Sequence, residues 1–300
     1  MYQKLIFAAQ FLAAKPILWE EWKYFDLSFL LMTVPMVFAY GIIIGSFLNV
    51  VIFRLPKGES LIKRASHCMT CGTKIRAIDL IPVFSWIFLR GKCHICGEKI
   101  SGRYPLVESL NGLLYVVNFF VFGFTVNTII MCLYTSVLIV VGFMDWDTLE
   151  IDLRVLAVIL ILTVPSHFLN EVTIWERLIG AACISLPFFL IGEISGIYYQ
   201  KKTGEKIRGI ELGDTLLMIC GGLYLGWKAV VPAAFIGILL AAIFGLIIKK
   251  VTGESKFAFG PYLCIGLFIG AICGSQLTDW YLSTLPQPET FSYYSAILFG

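Results

Sequence analysis

Long apolar runs broken by short polar connections organise the chain. A helix needs ~20 apolar residues to cross the hydrocarbon of a bilayer. Runs of that order occupy residues 27–53, 104–124, 127–144, 153–169, 178–199, 212–227, 229–248 and 257–273. They predict eight transmembrane helices, and so an all-α polytopic membrane protein. The fourth and sixth runs are short or carry polar residues, which predicts broken or tilted helices. The last run, 291–300, is too short to span alone. At the other end, Lys4 precedes a short apolar run, but Lys15, Glu20 and Glu21 follow without a small-residue cleavage site. Residues 1–26 are therefore expected to lie along the membrane surface and not to be removed as a signal peptide.

Composition agrees with the pattern. The chain has 300 residues, 58% hydrophobic and 14% charged, where a soluble domain carries ~25% charged residues. Mean hydropathy is +0.85. The charge is concentrated in the stretch 54–103, which holds ten basic residues (Arg54, Lys57, Lys63, Arg64, Lys74, Arg76, Arg90, Lys92, Lys99 and Arg103) against Glu59, Asp79 and Glu98. A basic cluster between spans orients a membrane protein, so it argues for contact with membrane lipid and predicts no nucleic-acid partner. It places the loop in the cytoplasm and the N-terminus outside. Alternation then brings the segments 145–152, 200–209 and 249–256 to the same side. The latter two carry Lys201, Lys202, Lys206 and Arg208, then Lys249, Lys250 and Lys256. The outer connections hold only Arg177 and Lys228, besides Lys4, Lys15 and Lys23 in the N-terminal segment.

The same loop carries Cys68, Cys71, Cys93 and Cys96, two CxxC pairs with 21 residues between them. Each pair offers two thiolates from one tight turn, and Gly72 and Gly97 follow as such a turn requires. Four thiolates in this spacing suit a structural, tetrahedral zinc site. The alternatives are two disulfides or four free thiols, and a reducing cytoplasm disfavours the disulfides. His67 and His94 beside the pairs are spare ligands or exposed loop residues. Cys132, Cys183, Cys220, Cys264 and Cys273 lie in apolar runs and read as packing.

Acidic residues at the edge of a span are costly and therefore informative. Asp145 and Asp147 end the third run, and Glu211 and Asp214 begin the sixth. Asp145 and Asp214 are 69 residues apart, yet the predicted topology puts them at one depth. Two close carboxylates in a low dielectric share one proton, and such a pair acts as base and acid on a water. Gly213 permits close backbone approach next to Asp214. The competing reading is a set of helix caps and solvated edge charges. Asp147 and Asp152 fit that reading better, with Asp147 also suited to support Asp145. Asn49, Arg54 and Glu108 border the polar loop and are either substrate-facing or interfacial. Glu108 is suited to bind an amine or to cap a helix N-terminus.

Several stretches together resemble a known family. They are Gly45-Ser-Phe-Leu-Asn-Val-Val-Ile-Phe-Arg-Leu-Pro56, Ser66-His-Cys-Met-Thr-Cys71, Asp79-Leu-Ile-Pro-Val-Phe-Ser-Trp86 and the run from Arg90 through Cys93 and Cys96 to Glu108. The chain resembles the type IV prepilin peptidases, bifunctional membrane aspartyl proteases of the GxGD type serving pilus and type II secretion systems. The resemblance implies cleavage of the basic leader of a prepilin or pseudopilin on the cytoplasmic side of the bacterial inner membrane. It also implies methylation of the new N-terminus from S-adenosylmethionine, with the polar loop involved. It assigns catalysis to Asp145 and Asp214. On that reading the basic leader, held in the cytoplasm, is expected to meet Asp147, Glu150, Asp152 and Glu211. The chain departs from the family pattern at three places: Glu211 stands for the first glycine of Gly-x-Gly-Asp, Leu216 for a lysine, and Glu150-Ile151-Asp152 lacks the usual proline.

The expected layout is an interfacial segment (1–26), a first transmembrane helix (27–53), a zinc-binding loop (54–103), a transmembrane peptidase core (104–276) and a tail (277–300). Two rival readings differ in kind. A membrane transporter with a zinc-stapled loop predicts carboxylates near the bilayer midplane. A non-catalytic assembly scaffold tolerates loss of both aspartates.

Overall fold

The computed structural model describes residues 26–63, 65–204, 208–253 and 257–285. The predicted surface segment at the N-terminus, up to residue 25, lies outside the described residues, as do 286–300 of the predicted tail. Among the described residues nine α-helices follow in order: α1 (Leu27–Arg54), α2 (Phe84–Phe88), α3 (Arg103–Phe122), α4 (Val126–Thr148), α5 (Leu153–Leu169), α6 (Ile174–Thr203), α7 (Leu212–Leu225), α8 (Trp227–Thr252) and α9 (Gly260–Thr284). A 3-10 turn, Ala77–Leu80, precedes the short α2. The described residues contain no strand.

Eight of these helices correspond to the eight apolar runs. Six are long and apolar enough to cross a bilayer: α1, α3, α4, α6, α8 and α9. The other two, α5 and α7, have 17 and 14 residues. At ~1.5 Å per residue, α7 spans only about 21 Å, so its ends must be satisfied inside the protein. That is where Arg177 sits. It was expected in an outer connection, but it lies in the first turn of α6, 4% exposed. Its guanidinium donates to the carbonyls of Leu223 and Tyr224 at 2.9 and 2.8 Å, closing the C-terminus of α7.

Helix α4 is the axis of the bundle, and most of its residues are buried. It touches α1, α3, α5 and α9. Lipid gives no hydrophobic drive for helices to associate, so close packing and buried hydrogen bonds hold them. Both occur here. A Cβ on Gly41 of α1 would lie 2.5 Å from the Gly112 Cα of α3, so the two backbones meet with no side chain between. Beside that contact Asn111 donates to the Gly41 carbonyl at 2.7 Å and accepts from Ser136 of α4 at 2.9 Å. Further along, the rings of Tyr134 and Tyr224 stack 4.1 Å apart and join α4 to α7.

The alternation gathers one set of helix ends at one pole of the bundle. Arg103 at the start of α3 pairs with Asp147 near the end of α4 at 2.6 Å. Arg154 at the start of α5 donates to the Leu55 carbonyl just past α1, at 2.9 Å. The polar loop is thereby tied to the two helix ends that flank Asp145.

Candidate active site

Asp145 lies in the last turn of α4, which stops because Leu149 adopts the left-handed conformation (φ +56°). Asp214 is the third residue of α7, after the N-cap Glu211, and these two side chains form a capping box across the first turn. Both aspartates are buried, 6% and 4% exposed. They lie within electrostatic reach of one another, and Glu211 reaches both. The sequence thus placed the pair correctly at one pole, and tertiary packing brings the two carboxylates together.

Asp145 Oδ2 accepts a 2.8 Å hydrogen bond from the Gly260 N–H at the start of α9. Asp214 Oδ2 accepts from the Glu211 N–H at 3.3 Å, while its Oδ1 is buried with no hydrogen-bond partner among the described residues. An acceptor left open in a buried site is unusual enough to mark a place for a reacting molecule. Gly213 has the close neighbour that its position implied: a Cβ there would stand 3.1 Å from Ile151 Cβ. Ile151, in the stretch that lacks the proline, thus packs on the backbone next to Asp214. Leu216 joins the apolar core.

The other acidic candidates separate clearly. Asp147 is taken by Arg103. Asp152 caps α5, accepting from the Arg154 N–H at 2.8 Å, and pairs with the Arg154 side chain. That pairing holds the Asp152 carboxyl below its usual range. Glu150 and Glu211 remain exposed, and Glu211 is the one within electrostatic reach of the pair. Sequence reasoning missed Gly260, whose only trace is a Gly-Pro at the start of a helix. Cys264, read as packing, does sit in the apolar core, and it also lies within electrostatic reach of both aspartates.

The four loop cysteines converge. Their sulfurs all lie within 4.8 Å of one another, and no histidine belongs to the cluster. Two matching knuckles make the site. Gly72 donates to Cys68 and Gly97 to Cys93, at 2.9 and 3.0 Å, and both glycines have φ near +70° (+69° and +72°). Bridges His67–Lys74 and Lys92–Lys99 close them. Thiolates around a tetrahedral ion with ~2.3 Å bonds stand about 3.8 Å apart, and the Cys68 and Cys96 sulfurs are 3.8 Å apart. The donor set therefore fits a metal. Asn49, Arg54 and Glu108, left open between facing a substrate and facing the interface, all line one cavity beside this loop.

The described residues thus form a helical bundle with paired buried carboxylates at one pole, an arrangement in which two acids can share a proton, and a four-thiol knuckle loop joined to the same pole. The alternative of a midplane transport site does not match the position of the pair at the end of α4 and the start of α7. Comparison with known proteins specifies the class. Residues 39–122 match the bacterial peptidase A24 N-terminal domain, and residues 132–246 match the type IV leader peptidase family. A prepilin leader peptidase/N-methyltransferase of Aeromonas salmonicida is 32% identical, over 88% of this chain and 96% of the relative. Proteins of the same name from Pseudomonas aeruginosa and Bacillus subtilis are 30% and 26% identical, over 85% and 82% of this chain and 94% and 97% of theirs. No solved structure matches. The chain belongs to the type IV leader peptidase family.

Proposed function

We propose that the protein is a bifunctional prepilin leader peptidase and N-methyltransferase of the bacterial inner membrane, with Asp145 and Asp214 as its hydrolytic pair. The observation that carries this reading is the meeting of two buried carboxylates from distant helices, one of them with an unpartnered oxygen. Asp145, held by the Gly260 N–H, takes a proton from the attacking water. Asp214 carries the shared proton and gives it to the carbonyl oxygen of the scissile bond. The resulting tetrahedral species collapses as a carboxyl group protonates the departing amine. No covalent enzyme intermediate forms. Basic residues of the leader meet Glu150 and Glu211, because Arg103 and Arg154 already neutralise Asp147 and Asp152.

The basic loop lies in the cytoplasm and the N-terminus outside, by the excess of Lys and Arg at the pole that carries the site. The substrate's apolar helix packs among the spans while its leader stays with the loop. Cys68, Cys71, Cys93 and Cys96 hold zinc, a closed site that supplies folding energy to a loop with little apolar core. The methyl donor is S-adenosylmethionine. The test is cleavage of a purified prepilin by Asp145→Asn and Asp214→Asn. Each is expected to lose at least a thousandfold in kcat, with folding and zinc content unchanged. Wild-type turnover by either removes the pair from the mechanism, and a wild-type protein that cleaves no prepilin revives the scaffold reading.

A further inference from the structure

The polar loop carries one stretch whose outer side is apolar. Ile78, Ile81, Phe84, Ile87 and Phe88 are between 47% and 82% exposed. The first two flank the end of the 3-10 turn, and the last three lie on α2. A 3-10 turn repeats every ~3 residues, so Ile78 and Ile81 point the same way. Residues three and four apart share one face of an α-helix, which aligns Phe84, Ile87 and Phe88. The opposite face of α2 is already occupied. Trp86 donates its ring N–H to the Ile100 carbonyl at 3.1 Å, and a Cβ on Gly91 would stand 2.8 Å from the same ring. Large apolar side chains gathered on one exposed face mark an interaction surface.

The depth of this face says what covers it. The Val83 N–H, between Ile81 and Phe84, donates to Glu108 Oε2 at 2.7 Å. Glu108 lies in the second turn of α3, about 7.5 Å along the axis from Arg103. Helix α3 has 20 residues and is about 30 Å long, the thickness of the hydrocarbon itself. Its second turn is therefore already within the apolar boundary, and Leu106 beside it is exposed, facing acyl chains. The tie to α3 is an imposed one. Val83 is β-branched yet has φ +61°, a conformation such residues adopt only where surrounding structure requires it. The apolar face is thus held level with the boundary between headgroups and acyl chains. Arg90 and Lys92, both exposed, follow at its end, where cations meet the phosphates of acidic lipids.

We propose that the segment 77–88 docks on the bilayer, with Phe84, Ile87 and Phe88 inserted among the acyl chains of the leaflet on the loop's side. Interfacial helices bury an apolar face in the same way, ~5–10 Å into that boundary. The face continues the lipid-facing surface of α3, so one apolar surface runs from the span onto the loop. The knuckle loop is thereby fixed to the membrane directly, in addition to its ties to the helix ends. This docking concerns the bilayer alone and holds whichever reaction the protein runs.

The test places a photoreactive benzophenone side chain at Phe88 of the full-length protein. The protein is reconstituted in vesicles of phosphatidylethanolamine and phosphatidylglycerol, irradiated and analysed by mass spectrometry. The same probe at Leu113, exposed midway along α3, is the reference for a side chain deep in lipid. The expected result is a lipid adduct at both positions. Fragmentation is expected to place the label near the ester end of the acyl chain for Phe88 and further toward the methyl end for Leu113. Lipid adducts at Leu113 with none at Phe88 overturn the proposal. Adducts from Phe88 to a second copy of the chain, or to a prepilin added to the vesicles, also overturn it and assign the face to a protein. Should the Phe88 variant fail to fold, the probe at Phe84, on the same face, is read by the same outcomes. Leader cleavage measured in the wild-type vesicles judges the peptidase reading separately.

Discussion

Gly260→Ala probes the peptidase geometry without touching either aspartate. A methyl group on the Gly260 Cα would stand 2.8 Å from Asp145 Oδ2 and 3.0 Å from its Cγ. Those are closer than non-bonded atoms approach, so the carboxyl group must move. The same oxygen holds the 2.8 Å hydrogen bond from the Gly260 N–H. Displacement relieves the overlap by giving up that bond, so the two costs are alternatives and are not added. Overpacking costs ~1–3 kcal/mol, and a hydrogen bond to a charged group is worth ~1.5–3 kcal/mol. A barrier raised by that amount lowers kcat about ten- to a hundredfold. The assay is cleavage of a prepilin in detergent, with kcat and KM separated, and the loss belongs in kcat because the substrate's apolar helix binds elsewhere. Gly142→Ala is the comparator: its nearest contacts, at 3.5 Å or beyond, are ordinary, and near-normal turnover is expected. Wild-type kcat in Gly260→Ala refutes the role given to the Gly260 N–H.

Three further outcomes follow from named contacts. Cys68→Ser with Cys93→Ser is expected to abolish zinc binding measured by atomic absorption and to leave the bundle helical by circular dichroism; unchanged zinc content sinks the four-thiolate site. Glu211→Gly, which restores the family glycine, is expected to raise KM severalfold for a lysine-bearing leader and to have little effect on a leader whose lysines are replaced. Equal effects on both leaders remove Glu211 from leader recognition. Arg177→Ala leaves the last carbonyls of α7 without their donors and is expected to cost ~2–3 kcal/mol, read as a lowered Tm in detergent. An unchanged Tm means that α7 does not depend on this cap.

Much of the architecture is local and was therefore legible. A span must be a long apolar helix because lipid offers its backbone no partners, so hydropathy alone located eight helices. It located even α5 and α7, whose shortness was visible as short or interrupted runs. The knuckles were legible for a similar reason: two cysteines three residues apart, followed by a glycine, specify a turn without reference to the rest of the chain. What failed was anything that depends on which helix lies beside which. Arg177 read as a loop charge because nothing nearby in sequence shows that it reaches the far end of α7. Asp147 read as a cap or edge charge that was also suited to support Asp145, and only the packing of α3 against α4 shows that Arg103 holds it.

The sequence by itself determined the number of helices, the pole that gathers the charges, the residue types available for hydrolysis and the four thiols of the knuckle loop. Each of these follows from short-range periodicity or from the cost of putting charge in lipid. Tertiary structure alone decided that Gly260, 115 positions from Asp145, orients it. It also decided that Asp214 keeps an open oxygen and that Glu108 is buried against the Val83 N–H. Those facts depend on atoms a few ångströms apart that the chain separates by tens of residues, and no local pattern encodes such a distance.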